Sequence, residues 1–344
     1  MIVPPSDPTA DAATSRGDAP ERGCRLHVVD LDGVAPAPVT RVDEIVGPLL
    51  VGMPVPASDG STLAVAGRDD TGAATVWSGE PDRLVATGML PVAIVPTALV
   101  AHHRHWHVFG AHHGRPWHAV SHDLRSWEVD ETFASDHPHL HVVGAAAVDD
   151  SITLVGSVVV EGRPVGWTLL EGADRRDGPT RFRARTLGVP LTASHSLTGP
   201  APLGASDLVL AVTSPSGDHT IVRTMPGTER RSWTMSLLAA DLRPATVVTR
   251  NHDIWLVGRV ADDGIVVRRD GGGELRLGRS HGELCAAVVH DDRLVVFSRS
   301  TATRGAAADA TSDGDLHASV TARTDACTSD DQSSPAYIDS ISAA

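Results

Sequence analysis

Apolar runs of four or five residues, each closed by a small residue and preceded by a polar turn, recur along the chain. They read LAVAG (63–67), HVFG (107–110), TLVG (153–156), VLAVT (209–213), WLVG (255–258) and VVFS (295–298), six copies about 40 to 55 residues apart. The turns ahead of them read SDGS, HHRH, VDDS, GASD, NHD and HDDR, polar chemistry suited to joining two antiparallel strands. Further strand-like runs follow most copies: ATVW, PWHAV, VGWTLL, TIVRT and IVVRR, with RSWEV and RSWTM as fourth strands in two units. Four short strands per unit at one period describe the blades of a β-propeller, whereas two packed sandwiches need no fixed period. The prediction is an all-β, six-bladed propeller, with five blades as the alternative count.

The sixth unit runs into a segment rich in Ala, Ser, Thr and Asp after Arg299. The early strand RLHVVDL (25–31) is expected to close the ring beside the last blade, with DLHASVTA (315–322) as a competing third strand. Residues 1–22 and 324–344 are expected to be mobile tails on a single propeller domain, 23–323.

Composition narrows the chemistry. The formal charge of −14 argues against nucleic acid and anionic membrane as partners, since phosphate binding needs clustered positive surface. The chain contains no lysine, so a Schiff base, a pyridoxal phosphate anchor and a P-loop lysine are excluded. Cys24, Cys285 and Cys327 are too few and too scattered for a disulfide framework or a zinc motif. The first residues lack a basic and then apolar leader, and no apolar run approaches the ~18 residues of a membrane span. A cytoplasmic location is the resulting expectation.

In the second unit the phrase SHDLRSW sets Ser121, Asp123, Leu124 and Trp127 in the pattern S-x-D-L-x-x-W. It resembles the same phrase of furanosidase-type glycoside hydrolases, the arabinanase and invertase clan of five-bladed propellers, and is close to the Asp-box of sialidase-like propellers. GTERRSWTM (227–235) reads as a degraded second copy. In those families the phrase stabilises a turn away from the catalytic centre, so the resemblance implies a scaffold role for Asp123 and Trp127. The chain departs from both groups elsewhere. The first inner strand starts without an Asp-Pro phrase, and the single tyrosine, Tyr337, falls in the expected C-terminal tail. The clan's catalytic acids and a sialidase-type tyrosine nucleophile thus have no match here.

Candidate chemistry follows from register. The propeller resemblance implies a ligand over the axis, on the face made by the loops that lead into the inner strands and those joining second and third strands. The inner hairpin turns lie on the opposite face, which makes His102, His103, His252 and His290 solvated turn residues. Aligning the units on their small closing residue puts His141, Arg243 and Glu283 at one position, at the start of the inner strands of blades 3, 5 and 6. His139, Asp241 and His281 stand two residues earlier, and side chains two apart on a strand share a face.

A second set, Arg68, Arg259 and Arg299, follows the closing residue in blades 1, 5 and 6. Guanidinium forks suit carboxylate or phosphate. Glu283, His141, His281 and Asp241 are the candidates for proton transfer, and Arg68, Arg259, Arg299, Arg243 and His139 for holding substrate. HPHLH puts His137, His139 and His141 on alternate positions, and an H-x-H pair on a strand can chelate a metal, but without a carboxylate or cysteine at fixed spacing the expectation is no metal and no nucleotide cofactor.

The expected function is an intracellular enzyme acting on a small anionic or polyhydroxylated molecule by acid/base chemistry: hydrolysis, elimination or cyclisation, as in natural-product tailoring. Two alternatives stand beside it, a diverged glycoside hydrolase and a non-catalytic, lectin-like propeller that binds carbohydrate.

Overall fold

The computed structural model describes residues 24–31, 42–46, 51–69, 71–175, 178–185, 191–204, 206–225, 232–237, 242–260, 264–277 and 282–300. Six four-stranded antiparallel sheets make a six-bladed β-propeller. Blade 1 comprises Val51–Ser58, Leu63–Arg68, Ala74–Gly79 and Val85–Met89, and blade 2 Val95–His102, His105–His112, Arg115–Ser121 and Glu128–Val129. Blade 3 comprises Leu140–Val148, Ser151–Val160, Arg163–Arg175 and Gly178–Arg185, and blade 4 Ser196–Leu203, Asp207–Thr213, His219–Met225 and Ser232–Leu237. Blade 5 is built from Arg243–Arg250, Asp253–Arg259, Ile265–Arg269 and Glu274–Arg276.

Blade 6 joins the two ends of the domain. Its inner strands are Gly282–His290 and Arg293–Ser300, and its third and fourth are Cys24–Asp30 and Val42–Val46 from the start of the chain. The expected closure by the early strand is therefore present, with Leu26 opposite Phe297 and Val28 opposite Val295. Residues 315–322 and both expected tails lie outside the described residues.

Alternation along each strand sends one side chain to the preceding blade and the next to the following one. In blade 5, Ile254 and Leu256 pack with Val209 and Ile221 of blade 4, while Trp255 and Val257 pack with Leu294 and Val296 of blade 6. Apolar clusters of this kind fill each seam, so the core is a ring of interfaces rather than one centre.

Every inner strand carries a bulge near its start, at Thr97 in blade 2, Val143 in blade 3, Ala245 in blade 5 and Cys285 in blade 6. In blade 4 Gly199 and Pro200 stand opposite Leu210, again one extra residue, and blade 1 takes two extra between Val51 and Val55. The bulge explains the small residue that closes the second strand. A Cβ on Gly110 would sit 2.5 Å from the carbonyl oxygen of Val95, and one on Gly258 would overlap that of Arg243. A repeat signature visible in the sequence is thus the imprint of one backbone irregularity.

The SHDLRSW phrase forms a closed turn. Leu124 N donates to Ser121 Oγ (2.9 Å), Arg125 N and Ser126 N donate to Asp123 Oδ1 (2.9 Å each), and Trp127 Nε1 donates to Leu124 O (3.2 Å). Leu124 has φ of 64° and is buried in the seam with blade 1. There the turn lies against Gly88 of the outer strand, where any Cβ would strike the Leu124 carbonyl. The phrase fastens blade 2 to blade 1.

Candidate functional site

The starts of the inner strands and the ends of the second strands share one face of the ring, the leading face; the inner hairpin turns make the hairpin face. Of the sequence candidates on the leading face, His139 and Arg243 are exposed, and His141, Arg68 and Arg259 are partly buried. Glu283 and Arg299 are described by backbone alone and stand directly opposite each other across blade 6. Asp241 and His281 lie outside the described residues.

Cross-strand register groups these residues differently from the sequence alignment. His141 pairs with Ser157, and Ser157 with Trp167, so three neighbouring strands of blade 3 place an imidazole, a hydroxyl and an indole in one row. Residues directly opposite share a sheet face, and this face turns toward blade 4, where Val155, Leu169 and Trp167 meet Leu197 and Val212. Trp167 Nε1 donates to His195 O (3.2 Å), and His195 Nδ1 accepts from Thr192 N (3.1 Å). Burial lowers the His141 pKa, because an imidazolium away from water loses hydration. His141 is thus neutral at neutral pH, one donor and one acceptor.

The same register in other blades holds Val51, Arg68 and Ala74, or Val95, Ala111 and Pro116. The mixed row belongs to blade 3 alone among these. Sequence reasoning found His141 but missed Ser157, Trp167 and His195. Pairing the third strand VGWTLL onto the second would have brought in Trp167, but that pairing depends on how far each hairpin extends.

In blade 4, His219 Nδ1 and Thr213 Oγ1 lie 2.9 Å apart on paired residues. Burial lowers the pKa of His219 and the charge of Arg243 adds to it, with Asp218 opposing. Arg243 itself stands directly opposite Arg259 in blade 5. Arg68 donates from Nε to the carbonyl of Gly72 (3.0 Å), within its own loop. It follows Ala64 and Ala66, which face blade 2, whereas Arg259 follows Val257, which faces blade 6. Arg68 and Arg259 therefore belong to different seams.

The hairpin face is organised otherwise. His290 and His102, expected as solvated turn residues, are only 1% and 6% exposed. His290 Nδ1 is 3.0 Å from Ser58 Oγ of blade 1, and His102 Nε2 donates to Asp149 O of blade 3 (3.4 Å). His103 and His252 are exposed as expected, though His103 Nε2 lies 3.2 Å from Asp150 Oδ1 of blade 3. Arg250 Nε donates to Asp292 Oδ1 of blade 6 (3.0 Å).

A second histidine group is wholly internal. His118 Nδ1 donates to Asp130 Oδ2 (3.1 Å), and His118 Nε2 is 3.1 Å from His107 Nδ1. Both rings are buried at the seam with blade 3, His118 stacking on Phe109. Burial pushes the Asp130 carboxyl upward, but the hydrogen bonds from His118 and Thr132 outweigh it and hold the pKa below the usual range. Among the described residues, no group of three or more His, Cys, Asp or Glu side chains is placed to hold a metal ion.

No protein-family model matches the chain, and no curated protein does. Among solved structures, the SapL1 lectin in complex with alpha methyl fucoside aligns with a TM-score of 0.46 at 13% identity, over 69% of this chain and 84% of that one. An arginine-to-alanine mutant of AofleA from Arthrobotrys oligospora gives 0.47 at 12%, over 69% and 76%. The Aleuria aurantia lectin, a six-bladed propeller with a fucose recognition mode, gives 0.45 at 11%, over 66% and 78%. At these values nothing about the ligand of this chain follows from theirs.

Proposed function

We propose that the protein is a non-catalytic, lectin-like propeller that binds a small polyhydroxylated molecule at the leading end of blade 3. The observation that carries this reading is the cross-strand row His141, Ser157 and Trp167. A sugar offers hydroxyls that both donate and accept, and C–H faces that lie against an aromatic ring. A neutral imidazole and a hydroxyl match the first, and a partly exposed indole the second. Acid/base turnover asks instead for a titrating pair at the reacting atoms. This row has a single titratable group, held neutral, and no carboxylate, which favours binding over the hydrolase, lyase or cyclase expected from the sequence. Because blades 1 and 2 lack the row, one ligand per chain is expected rather than a site in every blade.

Calorimetric titration with a panel of neutral monosaccharides tests the reading. Saturable binding at one site is expected, weakened at least about tenfold, or ~1.4 kcal/mol, in Trp167→Ala. Trp167→Phe, which keeps an aromatic face, should retain most of the affinity and guards against a folding defect. Chemical conversion of a panel sugar, abolished in Glu283→Gln, would restore the enzyme reading.

A further inference from the structure

We infer that His105 and His122 form a two-histidine chelate for a divalent transition-metal ion, copper(II), nickel(II) or zinc(II), at the hairpin end of the seam between blades 2 and 3. The site lies on the face opposite the His141 row and does not rest on the carbohydrate reading.

The first support is register. Trp106 and Ser121 are Cα partners on the second and third strands of blade 2. One step further along the same ladder brings His105 opposite His122, and their rings meet at 4.1 Å between centroids, inclined by 72°. Residues directly opposite share a sheet face, and Phe109, an even step along the strand from His105, puts that face against blade 3. Two imidazoles carried on adjacent strands are ordered by the sheet itself, so little ordering is left to do when a metal binds.

The second is the contrast with other close histidine pairs. His102 and His103 stand 4.0 Å apart, and His112 and His113 4.1 Å, but each pair consists of sequence neighbours at a hairpin turn. Three of those four rings also have partners elsewhere: His102 with Asp149 O (3.4 Å), His103 with Asp150 Oδ1 (3.2 Å) and His112 with Ala93 O (3.1 Å). His105 and His122 meet across strands instead, which is the arrangement a chelate needs.

The third is the surroundings. Behind His105 the ring of His107 lies nearly perpendicular, 6.3 Å between centroids, and His107 is fixed in turn by His118 and Asp130. In front, His122 is exposed, so a hydrated ion can reach the pair. The inner turns of blades 2 and 3 set Arg104 against Asp149 and Asp150, all exposed, and the whole chain carries −14, a field that draws cations. Neutral imidazole is a ligand for all three metals, and with two protein ligands water completes the coordination shell.

The test is calorimetric titration of the full chain with copper(II), nickel(II) and zinc(II) chlorides in a non-coordinating buffer at about pH 7.5, above the ordinary histidine value. One saturable equivalent is expected with at least one of the three metals. Its affinity should fall at least about tenfold, or ~1.4 kcal/mol, in His105→Gln and in His122→Gln, and stay unchanged in His113→Gln. His122 is exposed, so its variant keeps the fold and decides the outcome even where His105→Gln fails to fold. With copper(II), nitrogen hyperfine structure in the electron paramagnetic resonance spectrum should report two imidazoles in the unmodified chain and one in His122→Gln. The inference is overturned by the absence of saturable binding with all three metals, or by affinity unchanged in His122→Gln. Loss of that binding in His139→Gln would then place the metal on HPHLH.

Discussion

The two faces of the ring use the same residue types for different ends. On the hairpin face, His102, His290 and Arg250 reach across seams to the next blade and are held by Asp149, Ser58 and Asp292. On the leading face, His139 and Arg243 are exposed, and His141 and Arg259 are only partly buried within rows that run across one blade. Whether one of these rim histidines reaches across a seam or stays within a row of its own blade follows from which end of the strand it occupies. Residue type is silent on the choice; register decides it.

The widest break in this comparison would come from the strand that both faces depend on. Leu26 is fully buried between blades 6 and 1 on the strand that closes the ring. Leu26→Ala should cost about 2–5 kcal/mol in urea unfolding, and loss of residues 1–31 should abolish cooperative unfolding by leaving the Arg293–Ser300 edge unpaired. A truncated protein with unchanged Tm would contradict the closure. Next in size is the internal histidine group, where His118→Ala leaves Asp130 almost buried without its partner. A loss of about 3–5 kcal/mol is expected, and partial recovery in the double variant with Asp130→Ala would show that the uncompensated charge caused it.

Smaller effects separate the faces directly. His290→Ala on the hairpin face should destabilise by about 1–3 kcal/mol, since it removes a buried ring and its hydrogen bond to Ser58 across the seam between blades 6 and 1. Arg243→Gln on the leading face should stay within about 0.5 kcal/mol of the unmodified protein in ordinary buffer. Equal losses at the two positions would erase the distinction.

Acid sharpens the same contrast. His141 and His219 have lowered pKa values in the folded protein, so as pH falls below about 6.5 the unfolded chain takes up protons that the folded one resists. Stability is then full above the ordinary histidine value and declines on acidification until the folded values are reached. His141→Gln should flatten that decline, seen as a smaller change in Tm between neutral and mildly acidic buffer. Asp130 acts lower: its contribution is complete above about pH 4 and is lost as pH drops through its depressed folded value.

Much of the architecture was legible because it repeats. The second-strand signature, as in HVFG and WLVG, exposed the period, and the structure gives the reason: the bulged inner strand leaves no room for a Cβ at Gly110 or Gly258. RLHVVDL was identifiable as the closing strand because it is an apolar strand without a unit of its own. The fourth strand, Val42–Val46, carries no comparable periodicity and was not foreseen. At the site, the leading positions His141, Arg243 and Glu283 came from alignment along the chain. Arg259 and Arg299 came from the same alignment, but that they stand opposite Arg243 and Glu283, and that Ser157 stands opposite His141, came only from alignment across the strands.

Sequence alone therefore pointed to six blades and to closure of the ring by the early strand, because each follows from local alternation of apolar and polar residues and from turn chemistry. Tertiary structure decided which of those groups meet. The bulges set the register between strands, and alternation turns each row toward one seam or the other. A one-residue change in register moves a side chain to the opposite seam. That is why Trp167 joined His141 in one row, an outcome that spacing along the chain does not contain.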